Sequence, residues 1–113
     1  MIHADDVQVV SRGEIGQNQK RHAKDKIAHV SRYSGAPVAF ARVTLTVTGN
    51  PANARSATAR ALLDIDGGPV RGGATAASLD DAIEDLHERL RQQLDHLASR
   101  RLARRRSGPR GHR

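Results

Sequence analysis

The 113-residue chain contains no cysteine, so neither disulfides nor thiolate metal sites can stabilise it or do its chemistry. Its formal charge of +7 resides at one end: seven arginines and no acid lie from residue 100 onward, whereas residues 1–99 hold 12 bases against 12 acids. No apolar run nears the roughly 18 residues needed to cross a bilayer, and Met1-Ile2-His3-Ala4-Asp5-Asp6 lacks the basic and apolar stretches of a signal peptide, which leaves a cytoplasmic protein without a membrane partner as the expectation.

In chain order, Asp6 to Ser11 reads as a short strand ending near Arg12-Gly13. Residues 16–32 then read as a helix. Ala23, Ile27 and Val30 share one face, and Lys20, Arg21, Lys24, Lys26 and Arg32 spread over the rest. Ser34-Gly35-Ala36-Pro37 ends it. From Val38 to Thr48 the alternation of Val43, Leu45 and Val47 with Arg42, Thr44, Thr46 and Thr48 predicts a half-buried strand. Gly49-Asn50-Pro51 breaks it. Ala57, Ala59, Ala61, Leu63 and Ile65 form the inward row of a second long strand. Gly67-Gly68 suits a two-residue hairpin turn, and Val70 to Ala77 returns beside it. Ser78 is a good N-cap, and Asp80, Asp81, Glu84 and Asp85 place negative charge where a helix dipole favours it. Leu79, Ala82, Ile83, Leu86, Leu90, Leu94 and Leu97 then make one apolar stripe, in a helix expected to fray in the Arg-rich stretch.

The order β-α-β-β-β-α predicts an α+β two-layer sandwich: a four-stranded sheet with two helices on one face. The other face, with Arg42, Thr44, Thr46, Thr58, Arg60 and Arg71, is expected to be wet. Residues 1–99 form the domain and residues 100–113 an Arg-rich, disordered tail.

Nothing in the pattern builds an active site. The six histidines include no i, i+4 pair, and His87 and His96 have carboxylates near them only on an exposed helical face. Gly67-Gly68-Pro69-Val70-Arg71-Gly72-Gly73 lacks phosphate-loop spacing and joins two strands; Gly72-Gly73 within a strand indicates a bulge or a close backbone approach. The expectation is therefore a non-enzyme without cofactor, metal or small-molecule substrate.

The bases carry the remaining signal. Residues 12–60 hold nine bases and two acids, residues 61–99 three bases and eight acids. With the arginine tail this points to a polyanion, of which RNA is the commonest. Taken singly, each base reads as a solvated surface group, and Asp85 with Arg89 as an ordinary i, i+4 ion pair. Lys20 and Lys24 share one flank of helix one, Arg21, His29 and Arg32 its outer face, and Lys26 the opposite flank. Arg89, His96 and Arg100 line one edge of helix two. Helices side by side are expected to merge these edges into one positive surface. With only Tyr33 and Phe40 as aromatics, contact is expected with phosphate and shape, not with a base sequence.

Two segments carry a resemblance. Asp25-Lys26-Ile27-Ala28-His29-Val30-Ser31-Arg32-Tyr33 has a base followed by apolar residues at i+1 and i+4, then a base and an aromatic. Ser78-Leu79-Asp80-Asp81-Ala82-Ile83-Glu84-Asp85-Leu86-His87-Glu88-Arg89-Leu90-Arg91-Gln92-Gln93-Leu94 has Ala-Ile-acid, then base-Leu and base-Gln-Leu at the right intervals. Together they resemble the ribosome hibernation-promoting factor and ribosome-associated inhibitor (sigma-54 modulation protein-like) family over about residues 5–100. The resemblance implies a fold similar to a double-stranded-RNA-binding domain with an extra strand. It also implies docking on the ribosomal small subunit and its rRNA, in the cleft where messenger and transfer RNA pass, with silencing of translation. By position it makes Arg12, Lys26, His29, Arg32, Arg89 and Arg100 RNA-facing; Lys20, Arg21 and Lys24 join them from the helical wheel. Asp80 stands where the family usually has an aromatic, and Gln92 and His96 where bases are common, which thins the helix-two surface. Relatives often continue into a dimerising domain, for which residues up to Arg113 leave no room, so the expectation is the short form or the N-terminal domain of a longer one. The alternatives are a general double-stranded-RNA binder or RNA chaperone, and a protein-interaction module.

Overall fold

A computed structural model describes residues 3–34, 37–48, 57–65 and 68–107, with side chains described through Arg100. It contains β1 (Gln8–Arg12), α1 (Gln17–Val30), β2 (Val38–Val47), β3 (Ala57–Ile65), β4 (Gly68–Ala76) and α2 (Leu79–Ser107), with short 3-10 turns at Ala4–Asp6 and Ser31–Ser34. The expected α+β order is borne out. The sheet runs β1-β2-β3-β4, with β1 parallel to β2 and both later pairs antiparallel. A parallel pair needs a crossover, and α1 supplies it.

Local chemistry explains the element ends. The Gln19 side chain accepts from the Gly16 N–H at 3.2 Å at the start of α1. At its end the Ser31 hydroxyl donates to the Ala28 carbonyl at 2.6 Å, and the chain tightens into the 3-10 turn before Pro37. Ser78 caps α2 by accepting from the Asp81 N–H at 3.2 Å, with Asp80 and Asp81 in the first turn. The backbone of α2 stays helical through Ser107, into the Arg-rich stretch; residues 108–113 of the expected tail lie outside the described residues.

The alternation in the strands becomes a two-sided sheet. Val43, Leu45, Ala57, Ala59, Ala61, Leu63, Ile65, Val70 and Ala74 are buried under the helices, against Ala23, Ile27 and Val30 of α1 and the stripe from Leu79 to Leu94 of α2. The small residues of β3 and β4 let α2 approach closely. A Cβ on Gly72 would stand 2.9 Å from Leu90 Cδ2, so the Gly72-Gly73 pair marks a close approach and not a bulge. The irregularity lies in β2 instead, between Val38 and Phe40. Gly68 pairs with Ile65 at φ 135°, while the turn residues between them lie outside the described residues.

Gly13 ends β1 at φ 93°, and a Cβ there would collide with the Val47 carbonyl oxygen. Both the left-handed backbone and the backbone neighbour demand glycine. Gly13→Ala should therefore cost about 1–3 kcal/mol, read as a lower denaturation midpoint in urea; an unchanged midpoint would show that this crossover is not held as described.

Candidate nucleic-acid interface

The two helices lie side by side and run parallel, because successive contacts climb both together: His22 meets Asp80 and Glu84, His29 meets His87, and Arg91 meets Tyr33. The facing flanks make a paired seam. His22 sits between Asp80 (3.2 Å) and Glu84 (2.9 Å), and Lys26 Nζ lies 3.1 Å from Glu84 Oε1. The Lys26 ammonium is the main reason that the Glu84 carboxyl titrates below its ordinary range. Lys26 is thus half-buried beside an acid, its charge already offset.

The other bases lie away from this seam. Lys20, Arg21 and Lys24 border a shallow hollow with Val9 of β1, on the far side of α1. Arg89 lies on the far side of α2, where its guanidinium donates to the Gly73 carbonyl of β4 at 2.6 Å, and Gln93 donates to the Arg71 carbonyl at 3.0 Å. Arg89 therefore straps α2 to the β4 edge, and the expected ion pair with Asp85 is not among the contacts of the described residues. The cationic edges of the two helices do not merge across the seam as expected. They border opposite sides of the helical layer, because a helical wheel fixes which residues share a flank but not which flank meets the neighbour. Arg32 is exposed in the 3-10 turn after α1, and Arg100 is exposed near the end of the described side chains. Arg12 sits on the other layer: it is exposed on the open sheet face, beside Thr44, Thr46, Thr58 and Arg60.

Between the two edges, the seam ends in a ladder of rings and cations. His29 Nδ1 and His87 Nε2 are 3.1 Å apart with the rings stacked; Tyr33 meets His29 edge-on at 6.1 Å; Arg91 lies 5.3 Å over Tyr33. Of these only His29 is among the RNA-facing residues expected from the sequence. Tyr33, His87 and Arg91 were hidden because their grouping depends on the parallel packing. Partial burial, then the charges of Lys26 and His29, hold the His87 pKa below the ordinary histidine value, against the opposing pull of Glu84 and Glu88. A base whose folded pKa is depressed binds fewer protons folded than unfolded, so stability is lost as pH falls through the histidine range. Urea unfolding should show a lower midpoint at about pH 5.5 than at about pH 8, and His87→Gln should flatten that difference; an equal slope in the variant would assign it elsewhere.

Among the described residues no group of histidines and acids could hold a metal ion, and no helix is long and apolar enough to cross a membrane. The fold and its exposed bases define a small two-layer α+β domain with cationic surfaces on both layers. The chain belongs to the Sigma 54 modulation protein / S30EA ribosomal protein family, whose profile matches residues 7–102. It is similar to the N-terminal domain of Protein Y from Thermus thermophilus, at 26% identity and a TM-score of 0.65 over 80% of this chain and 97% of that one. A ribosomal subunit interface protein from Coxiella burnetii shares the fold, with a TM-score of 0.68 and 11% identity over 82% of this chain and 97% of that one. No curated protein matches the chain in sequence.

Proposed function

We propose that this protein binds the small ribosomal subunit near the decoding channel and keeps idle ribosomes from translating. The observation that carries this reading is membership of the S30EA family across residues 7–102, together with a surface suited to RNA phosphate. Lys20, Arg21 and Lys24 are grouped on one flank of α1, with no carboxylate partner among the described residues. Such bases gain most from a polyanion, because no internal acid has to be displaced and condensed counterions are released from the RNA.

The mechanism is steric. Lys20, Arg21, Lys24 and Arg32 would bind rRNA phosphates from the outward side of α1, with Arg100 adding a separate contact from the opposite edge, on α2, and Arg12 one from the sheet layer. His29 would contribute from the ring ladder. Lys26 and Arg89 belong to the same RNA-facing set, but they act first on the fold, holding α1 to α2 and α2 to β4. The folded body then fills space that messenger and transfer RNA need. No covalent chemistry is required, and the affinity should fall steeply with salt.

In a reconstituted translation system, adding the protein in excess over ribosomes should suppress synthesis from a reporter messenger, and raising the messenger concentration should restore it. Undiminished synthesis at saturating protein would contradict the reading.

A further inference from the structure

The open face of the sheet is more than solvated surface. Its outward side chains form three cross-strand rows set by the register: Arg12, Thr46, Thr58 and Thr75; Val10, Thr44, Arg60 and Gly73; Gln8, Arg42, Leu62 and Arg71. The four arginines are exposed and staggered, with no two directly opposite each other. Arg60 is diagonal to both Arg42 and Arg71, positions roughly 7–8 Å apart in a sheet, and so within about one screening length at 0.1 M salt. Their fields therefore add.

Two further features favour a ligand over plain solvation. Among the described strand residues the only outward acid is Asp64, beyond the arginine rows and next to Phe40, whereas a merely soluble surface intersperses both signs. None of the four arginines has a carboxylate partner among the described residues; Arg42 is held by Gln8 at 2.9 Å and lies 5.3 Å over the Phe40 ring. In addition, Gly73 stands beside Arg60 where a side chain would fill the row, and a hollow about Arg42, Arg60 and Arg71 shares Thr44 and Arg60 as walls with a second one about Arg12.

We infer that this sheet face is a second RNA-binding surface, which takes the phosphodiester backbone of an RNA strand laid across β1 to β4. The guanidinium forks of the four arginines suit phosphate oxygens, and the hydroxyls of Thr44, Thr46 and Thr58 can both donate to phosphate and meet the ribose 2′-OH. One exposed aromatic, Phe40, makes base stacking a minor part of the grip. The surface is separated from the α1 bases by the whole thickness of the sandwich. The domain would then be held between two RNA segments, one on each layer. This extends the proposed function without depending on it.

The test compares the parent chain with Arg60→Gln/Arg71→Gln, both exposed and outside the core. Binding is measured to a labelled 20-nucleotide uridine strand and, separately, to purified small ribosomal subunits, across a salt series from about 50 to about 300 mM. Each lost phosphate contact removes roughly 0.7 from the log–log salt slope on a single strand, so the double variant should lose roughly 1.4 and bind on the order of tenfold more weakly. Ultraviolet crosslinking of the unaltered chain should place RNA on β3 and β4 peptides, independently of any substitution. An unchanged slope on the strand, or crosslinks confined to the helices, would overturn the inference. So would weaker binding to subunits with the strand slope unchanged, since that pattern marks a protein partner. If the parent fails to bind subunits while the strand slope falls as stated, this surface stands and the ribosomal reading falls.

Discussion

Replacing Leu90 by alanine should lower the unfolding free energy by roughly 2–5 kcal/mol, the largest effect expected of any single substitution discussed. Leu90 is fully buried and packs where α2 comes close to the sheet, against Gly72 of β4. Gly72 beneath it has no side chain with which to fill the space left behind. In a domain of this size the loss should appear as a fall in melting temperature of roughly eight degrees or more, at roughly 4–8 degrees per kcal/mol. Gly72→Ala offers a check on the geometry. Alone it should destabilise by pressing on Leu90 Cδ2; in the Leu90→Ala background its methyl has room. The double-mutant cycle should therefore show favourable coupling of at least about 0.5 kcal/mol. Additive losses would mean that α2 does not sit on β4 as described.

Charge reversal of Lys20, Arg21 and Lys24 together should have the largest effect on binding. These side chains border one hollow, lie outside the core and carry no acid partner among the described residues, so the fold should tolerate Lys20→Glu/Arg21→Glu/Lys24→Glu with little change in melting temperature. Affinity for small ribosomal subunits should fall at least on the order of a hundredfold at about 0.1 M salt, with roughly 2–2.7 lost from the salt slope. Retained affinity with an unchanged slope would remove the α1 flank from the interface. By contrast, Lys26→Glu would set a second carboxylate against Glu84, and Arg89→Glu would remove the strap to Gly73. Loss of binding in either case would confound charge with structure.

The fold was legible in the sequence because its periodicities are clean. The stripe from Leu79 to Leu97 and the alternation of β2 and β3 each have one solution, and the stripe, the alternation and the register all place the same residues inside. The binding surfaces were less legible. A helical wheel puts Lys26 and Arg89 on flanks, yet only the parallel packing of α1 on α2 shows Lys26 meeting Glu84, and only the height of α2 over β4 shows Arg89 reaching a backbone carbonyl instead of Asp85. Arg42, Arg60 and Arg71 were visible as outward residues. Their grouping with Arg12 depends on β1 joining the sheet in parallel at a register that sets Arg12 beside Thr46 and Gln8 beside Arg42. No local pattern in a five-residue strand encodes that register.

The most direct measurement of the central claim is sedimentation of the protein with small ribosomal subunits, empty or preloaded with messenger and transfer RNA, at low and high salt. The protein should travel with empty subunits at low salt, be released at high salt, and be excluded from preloaded ones. Failure to travel with empty subunits at any salt, or equal binding when the channel is filled, would contradict occupation of the decoding cleft.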